Sequence, residues 1–99
     1  AAEVPCAPYQ LFGTEALAEA AMKVCGKSDG VLLGNHGLVC CGKDIKSAYG
    51  LACNLEFIAE LQCRAMSIGK PNVLTEEQMA EVMVKFQSYG QPGEKKTGY

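Results

Sequence analysis

Tryptophan is absent from this 99-residue sequence, histidine occurs once, and no apolar run approaches the roughly 20 residues that a bilayer-spanning helix requires. A membrane partner is therefore not expected. Positive charge is equally scarce: nine Lys and Arg against eleven Asp and Glu give a net charge of -2, and Lys95-Lys96 is too short to form a basic patch. Such a balance sets up no field that attracts phosphate backbones, so nucleic acid is not expected as a partner either. The cysteines and the histidine show no C-x-x-C or H-x-x-x-H spacing, so no self-contained metal motif is present. No charged-then-apolar leader opens the chain, and no repeat or low-complexity stretch interrupts it.

What is present fits a small folded unit. Hydrophobic residues make up 48% and charged residues 20%, which lies outside the disordered class. One domain of this size buries only a modest share of its unfolded surface, so it is marginal by itself. Cys6, Cys25, Cys40, Cys41, Cys53 and Cys63 are even in number, yet two lie in a helical pattern and two are adjacent in a strand pattern. We read all six as reduced, small buried hydrophobes of a cytoplasmic protein rather than a disulfide framework.

Pro5 and Pro8 make the segment up to Phe12 extended or looping, because each proline fixes its own backbone and restricts its predecessor. Thr14 is an N-cap for a helix over residues 15 to 25, with Leu17, Ala20, Ala21 and Val24 on one face and Gly26 as its stop. Asp44 caps a long helix ending near Ile68, whose apolar face runs Ile45, Ala48, Ala52, Leu55, Ala59 and Met66. Thr75 with Gln78 forms a capping box for a last helix with Met79, Val82, Met83 and Phe86 on one side, stopped by Gly90.

Between the first two helices, Val31 to Leu33 and Leu38 to Cys41 read as short buried strands. Gly34, Asn35 and Gly37 permit a tight reversal there, which holds His36 at a strand end. A neutral imidazole so placed is suited to a metal when a backbone carbonyl fixes its other nitrogen; its ordinary role in a strand turn is that of a satisfied polar residue. A catalytic zinc site takes three protein ligands, and one histidine supplies one of them. Two strands do not make an independent sheet, so the pattern points to part of a layered α/β protein. The chain opens at Ala1, without methionine and in a loop, which also leads us to expect a longer parent.

Three segments together carry a resemblance: Val4-Pro5-Cys6-Ala7-Pro8-Tyr9 with Phe12-Gly13-Thr14, then Leu32-Leu33-Gly34-Asn35-His36-Gly37, then Lys85-Phe86-Gln87-Ser88-Tyr89-Gly90. They resemble the C-terminal half of class II sugar-phosphate aldolases of the aldolase/adducin-like family, in particular its fuculose-phosphate members. The resemblance implies a three-layer α/β/α fold with a mostly antiparallel central sheet, of which residues 1–90 are the C-terminal portion and 91–99 a flexible tail. It implies a homotetramer with active sites at subunit interfaces and a Zn2+ ion held by three histidines. His36 matches the third of these; the H-x-H pair, the catalytic glutamate and the phosphate-binding loops are expected upstream. Tyr9 resembles a tyrosine that reaches a neighbour's site and assists proton transfer at the aldehyde oxygen, and Tyr89 one that closes over that site. The implied reaction is cleavage of a ketose 1-phosphate of the L-fuculose 1-phosphate type to dihydroxyacetone phosphate and a small aldehyde such as lactaldehyde, with these residues inactive alone.

Two alternatives stay open: a sugar-phosphate epimerase or dehydratase of the same fold, and a non-catalytic oligomerisation module. Without the resemblance, Tyr9 and Tyr89 read as packing or interface residues. Glu56 and Glu60, one helical turn apart, read as a solvated face rather than a carboxylate pair, and Thr14 as a cap rather than a phosphate ligand.

Overall fold

A computed structural model describes residues 3–88; Tyr89, Gly90 and the segment 91–99 lie outside the described residues. The elements are β1 (Cys6–Ala7), α1 (Glu15–Cys25), β2 (Gly30–Leu33), β3 (Gly37–Cys40), α2 (Ile45–Ile68) and α3 (Glu76–Ser88). The three helices and the two longer strands fall where periodicity and capping place them.

Local chemistry fixes each helix start. The Thr14 hydroxyl accepts from the Leu17 amide at 3.3 Å and donates to the Leu11 carbonyl at 2.6 Å. Asp44 accepts from the Ser47 amide at 2.7 Å, while the Ser47 hydroxyl accepts from the Asp44 amide at 3.2 Å, a reciprocal capping box. Thr75 and Gln78 make the same exchange ahead of α3. Gly26 stops α1 with φ 56°, a left-handed conformation that glycine adopts without a Cβ penalty.

The sheet has the order β1-β2-β3 and is mixed rather than mostly antiparallel among the described residues. β2 and β3 pair antiparallel with Leu33 opposite Gly37, whereas β1 pairs parallel to β2, with Cys6 opposite Leu32 and Ala7 opposite Leu33. The parallel pair arises because α1 lies between β1 and β2 in sequence: a helical crossover returns the chain in its starting direction. Two residues of the proline-containing segment thus form a strand, within the extended or looping path that the prolines predict.

α1 packs on β1 and β2, and α2 on β3. α2 comes so close to β2 that a Cβ added at Gly30 would lie 2.8 Å from Leu55 Cδ1. Among the described residues, Ala7 and Val31 are the buried hydrophobic ones, and no helix has a buried residue. Ile45, Phe57, Ile58 and Met66 of α2 and Met83 and Phe86 of α3 are exposed. The radius of gyration is 16.1 Å, against about 13 Å for a compact domain of this length. The apolar face read for α1 is half-buried at Leu17, Ala20, Ala21 and Val24, whereas those of α2 and α3 are only partly covered within the described residues. No described helix is long and apolar enough to cross a membrane.

Two outcomes test this reading of the caps. In the intact protein, Thr14→Ala should cost about 1 kcal/mol in a urea melt, the usual worth of a threonine N-cap. The Ser47 amide, then the Ser47 hydroxyl, hold the Asp44 carboxyl below its ordinary value. A depressed carboxyl contributes stability above the ordinary aspartate range and loses it as pH falls through the folded value. Melting temperatures taken from neutral pH to below about pH 4 should therefore fall less steeply in Asp44→Ala than in the unmodified protein; parallel curves would show that this cap does not carry the acid dependence.

Candidate metal-ligand site at the β2–β3 turn

The reversal between β2 and β3 consists of Gly34, Asn35 and His36. The His36 amide donates to the Leu33 carbonyl at 2.9 Å, closing a four-residue turn. Asn35 occupies its third position with φ 65°, the signature of a type II turn, where asparagine and glycine are the residues that tolerate left-handed backbone. His36 is thereby projected from the sheet end with its ring exposed.

A second segment crosses over this turn. The β1–β2 ladder continues past β1 as the Gly34 amide donates to the Ala7 carbonyl at 3.0 Å. A Cβ at Gly34 would lie 2.9 Å from that carbonyl oxygen and 3.0 Å from the Tyr9 amide nitrogen, so the crossing is close because position 34 carries no side chain. Pro8 follows with no N–H to extend the ladder, and the chain leaves the sheet over the turn.

The crossing brings Tyr9 and Gln10 onto His36. The Gln10 main-chain carbonyl lies 2.7 Å from His36 Nε2, and the Tyr9 ring stacks on the imidazole with centroids 5.4 Å apart and planes 24° from parallel. A carbonyl oxygen only accepts, so Nε2 is the donor in this contact, and in the neutral form of the ring Nδ1 is the nitrogen that keeps the lone pair. A backbone carbonyl as the partner of one imidazole nitrogen is what the turn predicts. That it belongs to Gln10 was not legible, since a main-chain acceptor 26 positions away leaves no trace in residue type.

Of the residues singled out in sequence, Tyr9 and His36 are brought together, and Tyr9 packs on the imidazole of its own chain. Tyr89 lies outside the described residues. Glu60 forms a 2.7 Å ion pair with Arg64 on the exposed surface of α2, in keeping with a solvated face.

The six cysteines are free thiols, as expected, but Cys6, Cys41, Cys53 and Cys63 are exposed, so they are not the buried hydrophobes expected of them. The reason is the uncovered face of α2 and the edges of the small sheet. Burial first, and then the neighbouring Cys41, push the Cys40 thiol up, away from the thiolate form that binds metal. Among the described residues no three His, Cys, Asp or Glu side chains converge to hold a metal ion. The donor chemistry still fits a divided site: a neutral imidazole with one nitrogen anchored to a carbonyl and a free lone pair on the other is a single ligand oriented in the usual way.

Comparison with known proteins agrees with the resemblance. The class II aldolase and adducin N-terminal domain matches residues 1–63. The 5-deoxy-D-ribulose 1-phosphate aldolase of Bacillus thuringiensis serovar kurstaki is 43% identical over 88 residues, covering 89% of this chain and 41% of that protein. The L-fuculose phosphate aldolase of Escherichia coli K12 is 38% identical over 88 residues, covering 88% and 41%. A solved structure of an L-fuculose 1-phosphate aldolase superposes with a TM-score of 0.80 at 33% identity, covering 85% of this chain and 40% of that one. The chain thus spans about 41% of the length of these curated relatives. With more than half of its residues matched by one domain family, and with the same fold in a solved member, the chain belongs to the class II aldolase and adducin family.

Proposed function

We propose that these residues form part of a zinc-dependent class II aldolase, a lyase of carbohydrate metabolism that cleaves a ketose 1-phosphate to dihydroxyacetone phosphate and a small aldehyde. The observation that carries the reading is the imidazole of His36, oriented by the Gln10 carbonyl on a turn within the matched family region. His36 is one of three histidine ligands, and the remaining two, with the acid-base glutamate, lie outside this chain. The assembly is a cytoplasmic homotetramer of three-layer subunits, with Tyr9 and Tyr89 serving sites at the interfaces, and residues 1–90 form the C-terminal portion of the subunit.

Each residue has a stated task. His36 would offer the metal the ring nitrogen that the Gln10 carbonyl leaves free, the neutral imidazole being the ligating form. A zinc ion, when bound, supplies Lewis-acid stabilisation of the negative charge that develops on substrate oxygens. Cleavage between the third and fourth carbons removes the proton of the C4 hydroxyl as its oxygen becomes the aldehyde carbonyl, and the bond's electron pair stays with the dihydroxyacetone phosphate fragment. The Tyr9 oxygen takes that hydroxyl proton in cleavage and returns it to the aldehyde oxygen in synthesis, and the electron pair left at the third carbon takes its proton from the acid-base glutamate outside this chain. Tyr89 closes the site against water.

Two substrates fit the relatives' names. L-fuculose 1-phosphate would release lactaldehyde, and 5-deoxy-D-ribulose 1-phosphate would release acetaldehyde; the greater similarity to the relative named for the latter is the observation that favours it as a second reading. The volatile or reduced aldehyde product, identified after incubation of the zinc-replete intact protein, separates the two. Absence of dihydroxyacetone phosphate from both would leave the oligomerisation module as the better account.

His36→Ala should reduce bound zinc from about one per subunit to near none while leaving the oligomer intact; unchanged zinc content would remove His36 from the metal site. Tyr9→Phe should lower turnover by roughly 100-fold or more, the ordinary worth of a positioned proton-transfer group, with zinc content unchanged. Equal turnover would take the phenol out of the mechanism.

A further inference from the structure

The hydroxyl of Tyr9 leaves its ring unexplained. The ring lies over the His36 imidazole at 5.4 Å and 24°, and the residue remains 55% exposed, so packing of a core does not account for its position. A side chain attached at Cβ and tied at Nε2 to the Gln10 carbonyl is fixed at two points, yet its plane is free to tilt about the line joining them. The stacked ring constrains that remaining freedom. Both restraints come from consecutive residues of one short segment, itself pinned to the turn by the Gly34 amide on the Ala7 carbonyl.

We propose that the aromatic face of Tyr9, independently of its hydroxyl, is a positioning element that sets the plane of the His36 imidazole and so the direction of its lone pair. This rests on His36 being a metal ligand, and it separates Tyr9 into two chemically distinct parts: a ring that orients the ligand and a phenol that serves the reaction. Outer-shell partners of a ligating histidine are worth roughly 10- to 100-fold in metal affinity, and a stacking partner falls at the lower end.

The test compares Tyr9→Phe and Tyr9→Leu in the intact protein. Zinc affinity is read by competition with a chromogenic chelator, and the His36 ring-proton resonances are read in the metal-free protein. Tyr9→Phe should keep both the zinc affinity and the ring-current displacement of the imidazole resonances. Tyr9→Leu should weaken zinc binding roughly 10-fold and abolish the displacement. Equal zinc affinity in the two variants overturns the proposal, as does an equal loss in both, which would assign the effect to the hydroxyl. Unmoved His36 resonances in Tyr9→Leu overturn it even where zinc binding falls, since a general loss of stability would explain that fall. Should His36→Ala retain zinc, the ligand assignment fails separately, because the resonances still report whether the stack exists.

Discussion

The parallel pairing of two residues of β1 with β2 is the constraint on which the site depends. The Leu32 amide donates to the Pro5 carbonyl at 2.8 Å and the Gly34 amide to the Ala7 carbonyl at 3.0 Å. These bonds bracket the strand, and Pro8 ends it by removing the next donor. The chain must then leave the sheet at the level of the β2–β3 turn, which delivers a ring and a carbonyl oxygen to the imidazole from adjacent residues. Without that pairing His36 would be an exposed side chain on a hairpin, free to sample several rotamers and several directions for its lone pair.

The helices were legible because their signals are local. Thr14, Asp44 and Thr75 each satisfy amides within three residues, and an interaction of that range can be read from spacing alone. The hairpin was legible for the same reason: a type II turn needs a residue that tolerates positive φ, and Asn35 is one. The identity of the Gln10 acceptor and the parallel β1–β2 pair were not legible. A main-chain carbonyl exists at every position, and a strand of two residues has no periodicity to detect. Those features follow from where α1 returns the chain, which is a tertiary fact.

The environment of the cysteines was misjudged for a related reason. Apolar periodicity says which face of a helix seeks cover, not whether that cover lies within the same stretch of chain. On α2 the intended face includes Ile45 and Met66, 85% and 61% exposed, and the thiols of Cys53 and Cys63 share that openness. Burial is a property of the pair of surfaces, so a sequence that holds one surface specifies the pattern and leaves the outcome to the other.

The choice of imidazole over thiol at this turn has an electrostatic logic. A thiol must shed a proton before it ligates, and the Cys40 thiol, pushed up by burial and by Cys41, resists that step near neutral pH. A neutral imidazole already presents a lone pair, and the hydrogen bond that fixes its orientation also decides which nitrogen holds it. Gln10 supplies that bond through its main chain, so the acceptor survives any change of side chain at position 10 and depends instead on the path of the backbone. Orientation of the imidazole is thus a consequence of the fold around β1, and the phenol one residue earlier takes no part in that bond. The backbone that orients the imidazole and the side chain that stacks on it can then vary separately.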